Sequence, residues 1–166
     1  MTEFEPNAYL SEIERVQNPA LGALLIWEYG RSFQGNFSAE SSHYLLTFLI
    51  LPLCLHRPTL DLVKRTYASS GLGKLCEKLA DEREELFAIH ERSLKLKRLT
   101  LSSLAYGESS GLLSIDYENA KVRAHDLPRP KLPERIQDHA KGAAKLGTWF
   151  SALRPVEIFH ALRVEA

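Results

Sequence analysis

The sequence predicts a mainly α-helical, compact domain with one β-hairpin, winged-helix-like in build. Three observations predict it. Apolar residues recur at helical spacing over most of the chain. The period changes once, to two short extended runs, Leu112–Asp116 and Lys121–Asp126, around Tyr117-Glu118-Asn119-Ala120. A helix, a turn and a second helix precede those runs, which is the outline of a winged helix.

Each element has a local cause. A polar helix over Tyr9–Gln17 stops at Asn18-Pro19, where Asn18 suits an N-cap and Pro19 the first position of the next helix. That second helix carries Leu21, Leu24, Leu25, Ile26, Trp27 and Tyr29 and ends near Gly35. Its apolar face is broad enough to be buried on more than one side. Tyr44–Leu55 is long enough for a helix, which Pro52 must end or kink. Pro58-Thr59 open a short helix over Leu60–Tyr67, Ser69-Ser70-Gly71 turn the chain, and a further helix covers Leu72–Leu79. Asp81 is placed to cap a long helix whose first turn holds Glu82, Glu84 and Glu85, and Gly107 is placed to end it near Tyr106. Along it Phe87, Leu94 and Leu101 recur every seven residues, beside Ile89, Leu96 and Leu104. After the hairpin, Pro128, Pro130 and Pro133 make residues 127–133 an extended linker. A helix from Glu134 to about Leu153 and a short one over Val156–Leu162 close the chain. The expected organisation is a helical core over 1–126, winged-helix-like from about residue 57, then the linker, then C-terminal helices over 134–166 packing back on the core.

Composition narrows the function. Lys+Arg and Asp+Glu number 21 each, so a nucleic-acid contact needs a local patch rather than a basic chain. Cys54 and Cys76 form no CxxC pair and read as thiols of a reducing compartment. The start, Met-Thr-Glu-Phe-Glu-Pro, lacks the basic and apolar regions of a signal peptide, and the longest apolar run falls short of a membrane span. The expectation is a cytoplasmic protein with no membrane contact, for which the sequon Asn36-Phe37-Ser38 has no meaning.

No catalytic or cofactor motif is complete. Ser69-Ser70-Gly71-Leu72-Gly73-Lys74 has the look of a phosphate loop, but Ala68 stands where the first glycine belongs and Leu75 where Ser or Thr must follow the lysine. His90-Glu91 starts a zincin pattern that Leu94 fails to finish. His56 after Cys54 lacks a second pair of ligands, and His43, His125, His139 and His160 stand alone. There is no Gly-x-Ser-x-Gly elbow. The expected chain is not an enzyme and holds no cofactor or metal.

One constellation stands out. Arg92, Lys95, Lys97 and Arg98 lie on the long helix, and Lys121 and Arg123 on the hairpin. In a winged-helix outline the helix can enter a major groove while hairpin cations meet phosphates. A protein-binding role for the same surface is the stronger expectation, and Lys95 and Lys97 point to different sides of a helix. The apolar excess of the second helix marks Leu21, Leu25 and Trp27 as candidate subunit contacts, with a filled single core as the other reading.

Several segments resemble one family. They are Glu12–Tyr29 with its Asn18-Pro19-Ala20-Leu21-Gly22 centre, Leu49–Thr59, Ser69–Leu79, His90–Asp116 and Ala143–Leu153. Together they are similar to the middle component of three-component ABC (ABC-3C) systems, the small subunit of Lamassu-like bacterial defence complexes. The resemblance implies partners: an SMC- or Rad50-like ABC ATPase that senses foreign DNA, and an effector, often a nuclease. The middle component would bridge or restrain that effector in anti-phage or anti-plasmid defence, with DNA reached through the complex. It brings no catalytic residues to carry over. The alternative is a winged-helix DNA-binding transcriptional regulator.

Overall fold

The computed structural model describes residues 18–36 and 40–165. The expected helix Tyr9–Gln17 lies outside the described residues. Helix α1 (Pro19–Asn36) runs through the middle of the fold. Its start is built as the sequence dictates: the Ala20 N–H donates to Asn18 Oδ1 at 2.9 Å, and Pro19 fills the first helical position.

The stretch expected as one helix, Tyr44–Leu55, divides into a 3₁₀ segment and a short α-helix, with a two-residue strand just before it. Strand β1 (Ser42–His43) leads into a 3₁₀ segment (Tyr44–Leu49), and only then into helix α2 (Ile50–Cys54). Pro52 has no N–H to offer the Phe48 carbonyl and its ring crowds that oxygen, so tighter turns precede it. All five residues of α2 are buried, and its axis meets the next helix at a 100° bend. Helix α3 (Arg57–Arg65) follows. Its last turn is closed from a distance: the Lys145 ammonium donates to the carbonyls of Val63 at 3.0 Å, Lys64 at 3.3 Å and Thr66 at 2.9 Å. These are the acceptors that any helix C-terminus leaves unpaired.

The expected long helix is two helices, and its start is displaced by one residue from the expected cap. Helix α4 (Gly71–Asp81) ends on the residue expected as a cap, and Glu82 takes the cap position of α5 (Arg83–Lys95) with ψ at 78°. Leu72, Leu75, Leu79, Leu86 and Ile89 all enter the main core, so packing rather than a glycine or proline sets this junction. A kink at Leu96 separates α5 from α6 (Lys97–Ser109). The Ser93 hydroxyl donates back to the Ile89 carbonyl at 2.9 Å just before it, a bond that bends helices. Gly107 does not stop α6. It sits inside the helix because the Leu113 side chain lies against it, and an added Cβ would come within 2.9 Å of Leu113 Cγ. The stop falls at Gly111, whose φ of 82° no branched residue adopts cheaply.

Strands β2 (Leu113–Asp116) and β3 (Lys121–Ala124) pair antiparallel with Leu113 opposite Ala124 and Asp116 opposite Lys121. The four-residue turn is pinned by Asp116, whose carboxylate accepts from the N–H groups of Glu118 at 3.0 Å and Asn119 at 3.1 Å. Strand β1 adds to β3, giving the order β1-β3-β2. Since β1 spans two residues, it stops short of Ala124. Gln34 of α1 completes the edge: its carboxamide donates to the Ala124 carbonyl at 3.0 Å and accepts from the Ala124 N–H at 2.7 Å.

Residues 125–133 carry no regular structure, as the prolines predict, yet they are strapped to α1. The Trp27 indole N–H donates to the His125 carbonyl at 2.9 Å, and Arg129 pairs with the buried Glu28 at 3.3 Å. Helix α7 (Glu134–Ser151) then packs along α1, followed by α8 (Pro155–Ala161). The α1–α7 approach depends on Gly147, where a side chain would collide with the backbone of Tyr29 and Phe33.

Two apolar clusters result. The larger gathers Leu25, Tyr29, α2, α4, α5, Ala143, Leu146, Trp149 and Phe150. The smaller sits across α1, where Ile26 and Trp27 meet Leu104, Leu113, Val122 and Ala124. Tyr29 stacks edge-on against Phe150 at 5.8 Å while its hydroxyl lies 2.7 Å from Ser42 Oγ, so its burial leaves no polar atom unpaired. Each fully buried aromatic or branched aliphatic side chain contributes roughly 1.5–3 kcal/mol.

Candidate functional site

The kink at Leu96 decides how the basic residues are presented. Arg92 is not a free surface cation. Its guanidinium donates to the buried Thr59 Oγ1 at 3.3 and 3.4 Å and lies 4.0 Å from Glu85, so it holds α5 to the start of α3. His56 joins that cluster through Thr59 Oγ1 at 2.9 Å, and burial, then Arg92, keeps its imidazole below the ordinary histidine range. Lys95 pairs with Glu91 one turn back at 3.2 Å, in solvent. Lys97 and Arg98, in the first turn of α6, are exposed and have no ion-pair partner among the described residues.

The hairpin cations stand in mixed company. Lys121 and Arg123 line a depression of about 470 Å³ with Glu40, Ser41, Ser114, Asp116 and Asn119. Hydrogen bonds from Asn119 hold the Asp116 carboxyl below its usual range, so it stays ionised. A phosphate approaching this face meets two carboxylates as well as two cations. The structure therefore does not bring the six basic residues onto one surface: Arg92 and Lys95 are engaged on α5, Lys97 and Arg98 project from α6, and Lys121 and Arg123 share the hairpin face with acids.

Leu25 and Trp27 are fully buried, and Leu21 is half-buried against the main core. Arg31 covers the Trp27 ring, its guanidinium carbon 4.7 Å from the ring centroid. The broad apolar face of α1 is consumed within the chain, by α7 on one side and by α6 and the hairpin on the other. The outward apolar residues are elsewhere. Phe87 is 66% and Leu94 61% exposed, on the side of α5 away from Leu86, Ile89 and Ser93. Leu101 of α6 is 42% exposed. Their seven-residue recurrence was visible in the sequence, but that this stripe faces out is set by Leu86 and Ile89 entering the core.

Among the described residues no group of three or more His, Cys, Asp or Glu side chains gathers as metal ligands. Cys54 is buried with its thiol pushed up to about 12, and burial raises Cys76 to about 11, so neither is a ready thiolate. The glycines after Ser70 form the entry of α4, where Gly71 has a φ of 78°. No single described helix is long and apolar enough to cross a membrane.

The family described as ABC-three component (ABC-3C) system Middle Component 3 matches residues 7–166. No curated protein and no solved structure matches the chain. A match that spans the helical core, the hairpin and the C-terminal helices alike is one to the whole fold, and the chain belongs to the Middle Component 3 family of ABC-3C systems.

Proposed function

We propose that this middle component is a non-catalytic subunit of a Lamassu-like defence complex, docking onto an SMC- or Rad50-like ABC ATPase and restraining or bridging an effector such as a nuclease. The family membership carries the reading. The surface supports it: Phe87 and Leu94 put two large apolar side chains in solvent on one stripe of a helix whose other side is committed to the core. Exposed apolar residues of this kind, rimmed by charge, suit a subunit interface. Lys97 and Arg98, exposed at the start of the next helix, offer cations to such an interface.

The test is co-purification with the ATPase encoded beside it. The wild-type chain is expected to be retained, and Phe87→Glu/Leu94→Glu to be lost from the complex with an unchanged circular dichroism spectrum and unfolding midpoint. A wild-type chain that stays solitary when co-expressed with that ATPase overturns the reading.

A second reading, a winged-helix DNA-binding regulator, is favoured by the order α5, α6, hairpin and by Lys97 and Arg98, exposed and without an ion-pair partner among the described residues. It expects salt-sensitive binding of duplex DNA by the isolated chain, weakened by Arg98→Ala. Absence of binding in low salt rejects it.

A further inference from the structure

The tip of the hairpin meets the 3₁₀ segment and α6 in a group of aromatic rings around a carboxylate. The Tyr44 N–H donates to the Ala120 carbonyl at 2.7 Å, which seats Tyr44 beside the hairpin turn. Its ring packs edge-on against Phe48 with centroids 5.4 Å apart. Across the turn, the Tyr117 hydroxyl donates to Glu108 Oε1 at 3.2 Å. Tyr117 is 70% exposed, and that bond ties its ring to α6. Tyr44 and Phe48 are half-buried on the smaller apolar cluster, so each ring is anchored on one side and partly open to solvent on the other. On α6, Leu101 lies two turns before Glu108 on the same stripe and extends the apolar border.

Glu108 pairs with no lysine or arginine among the described residues, although nine ion pairs occur elsewhere among them. Loss of solvent, then the hydrogen bond to Glu108 and its charge, hold the Tyr117 phenol above its usual range. Glu108 therefore places a carboxylate beside the rings with no lysine or arginine paired to it among the described residues. Aromatic faces with negative quadrupoles beside a free carboxylate attract a cation and repel a phosphate.

We propose that Tyr44, Phe48, Tyr117 and Glu108 form a receptor for a cationic side chain, arginine or lysine, presented by a partner protein. The rings supply cation–π contact, Glu108 the ion pair, and Leu101 an apolar rim for the aliphatic stem. The receptor deepens the subunit reading only in naming its partner, another component of the complex; the site itself stands on these contacts.

The experiment is a titration of the full chain with N-acetyl-arginine amide, followed by aromatic NMR resonances, with the neutral isostere N-acetyl-citrulline amide as control. Saturable shifts of Tyr44, Phe48 and Tyr117 with arginine alone support the receptor. Glu108→Gln is expected to weaken binding by about two- to fivefold, and Tyr117→Leu by about as much. Equal shifts with citrulline, or an unchanged affinity in Glu108→Gln, overturn it; Glu108→Gln carries the test alone if Tyr117→Leu disturbs the hairpin. In the co-purified complex Glu108→Arg is expected to lose the partner, and full retention overturns the assignment of the site to a partner protein. A wild-type chain that never joins the ATPase counts against the subunit reading and that assignment, while the titration still decides the receptor.

Discussion

Gln34 offers the most direct test of how this fold is closed. Strand β1 is too short to pair Ala124, and the Gln34 carboxamide takes its place with two hydrogen bonds, 3.0 Å and 2.7 Å long. Gln34→Met keeps the shape of the side chain and removes both. Ala124 is 3% exposed, so its N–H and C=O cannot turn to water. An unpaired buried backbone group costs about 1–3 kcal/mol, and two give about 2–4 kcal/mol after partial relaxation. For a chain of this length that is a drop in Tm of about 5–15 °C. Urea unfolding followed by Trp27 and Trp149 fluorescence measures it, and amide exchange at Ala124 should quicken in parallel. Gln34→Glu separates the two bonds. A carboxylate accepts from the Ala124 N–H but repels its carbonyl, whereas a protonated carboxyl can donate to that carbonyl. Folding thus raises the pKa of the new glutamate. Its contribution is full below the unfolded value and is lost as pH rises through the folded value, so Gln34→Glu should approach wild type on acidification. A Gln34→Met protein within about 0.5 kcal/mol of wild type would refute the claim that the sheet edge is sealed this way.

Two further outcomes are expected. Gly147→Ala drives a methyl group into the α1 backbone and should cost at least about 3 kcal/mol, while Gly73→Ala, with open space inside α4, should stabilise by about 0.5–1 kcal/mol; equal effects in thermal melts would contradict the α1–α7 packing. Burial raises the Glu28 carboxyl above its ordinary range, against the pull of Arg129 and Arg31. Its favourable contribution is therefore complete below the unfolded pKa and disappears as pH rises through the folded one. Wild type should gain stability relative to Glu28→Gln as the pH is lowered through the carboxylate range, and the opposite slope in urea titrations would reject this.

The subunit role rests on two kinds of information that the chain carries differently. Two helix starts were legible because their causes are local: Asn18 caps with its own side chain, and Pro155 starts α8, where Arg154 and Glu157 complete the cap at 2.8 Å. The hairpin was legible because alternation and an Asx-type turn lie within a dozen residues. The family likeness came from patterns spread along the chain, and it holds over residues 7–166.

What the tertiary structure alone decided depends on residues far apart in sequence. Whether the apolar face of α1 is core or contact follows from α6, the hairpin and α7 closing around it, and they leave Leu25 and Trp27 no surface. Which cations are free follows from Thr59 and Glu85 capturing Arg92 across 33 and 7 positions. Gly107 reads as a helix stop in sequence, but Leu113 packing against it makes it an interior residue. Propensity and capping act within one turn of chain, so the amino-acid order by itself determined the mainly helical class, the hairpin and the family, while packing divided Tyr44–Leu55 and the long helix. Burial is a property of the assembled surface, and only the folded chain set which side chains remain outside for a partner to meet.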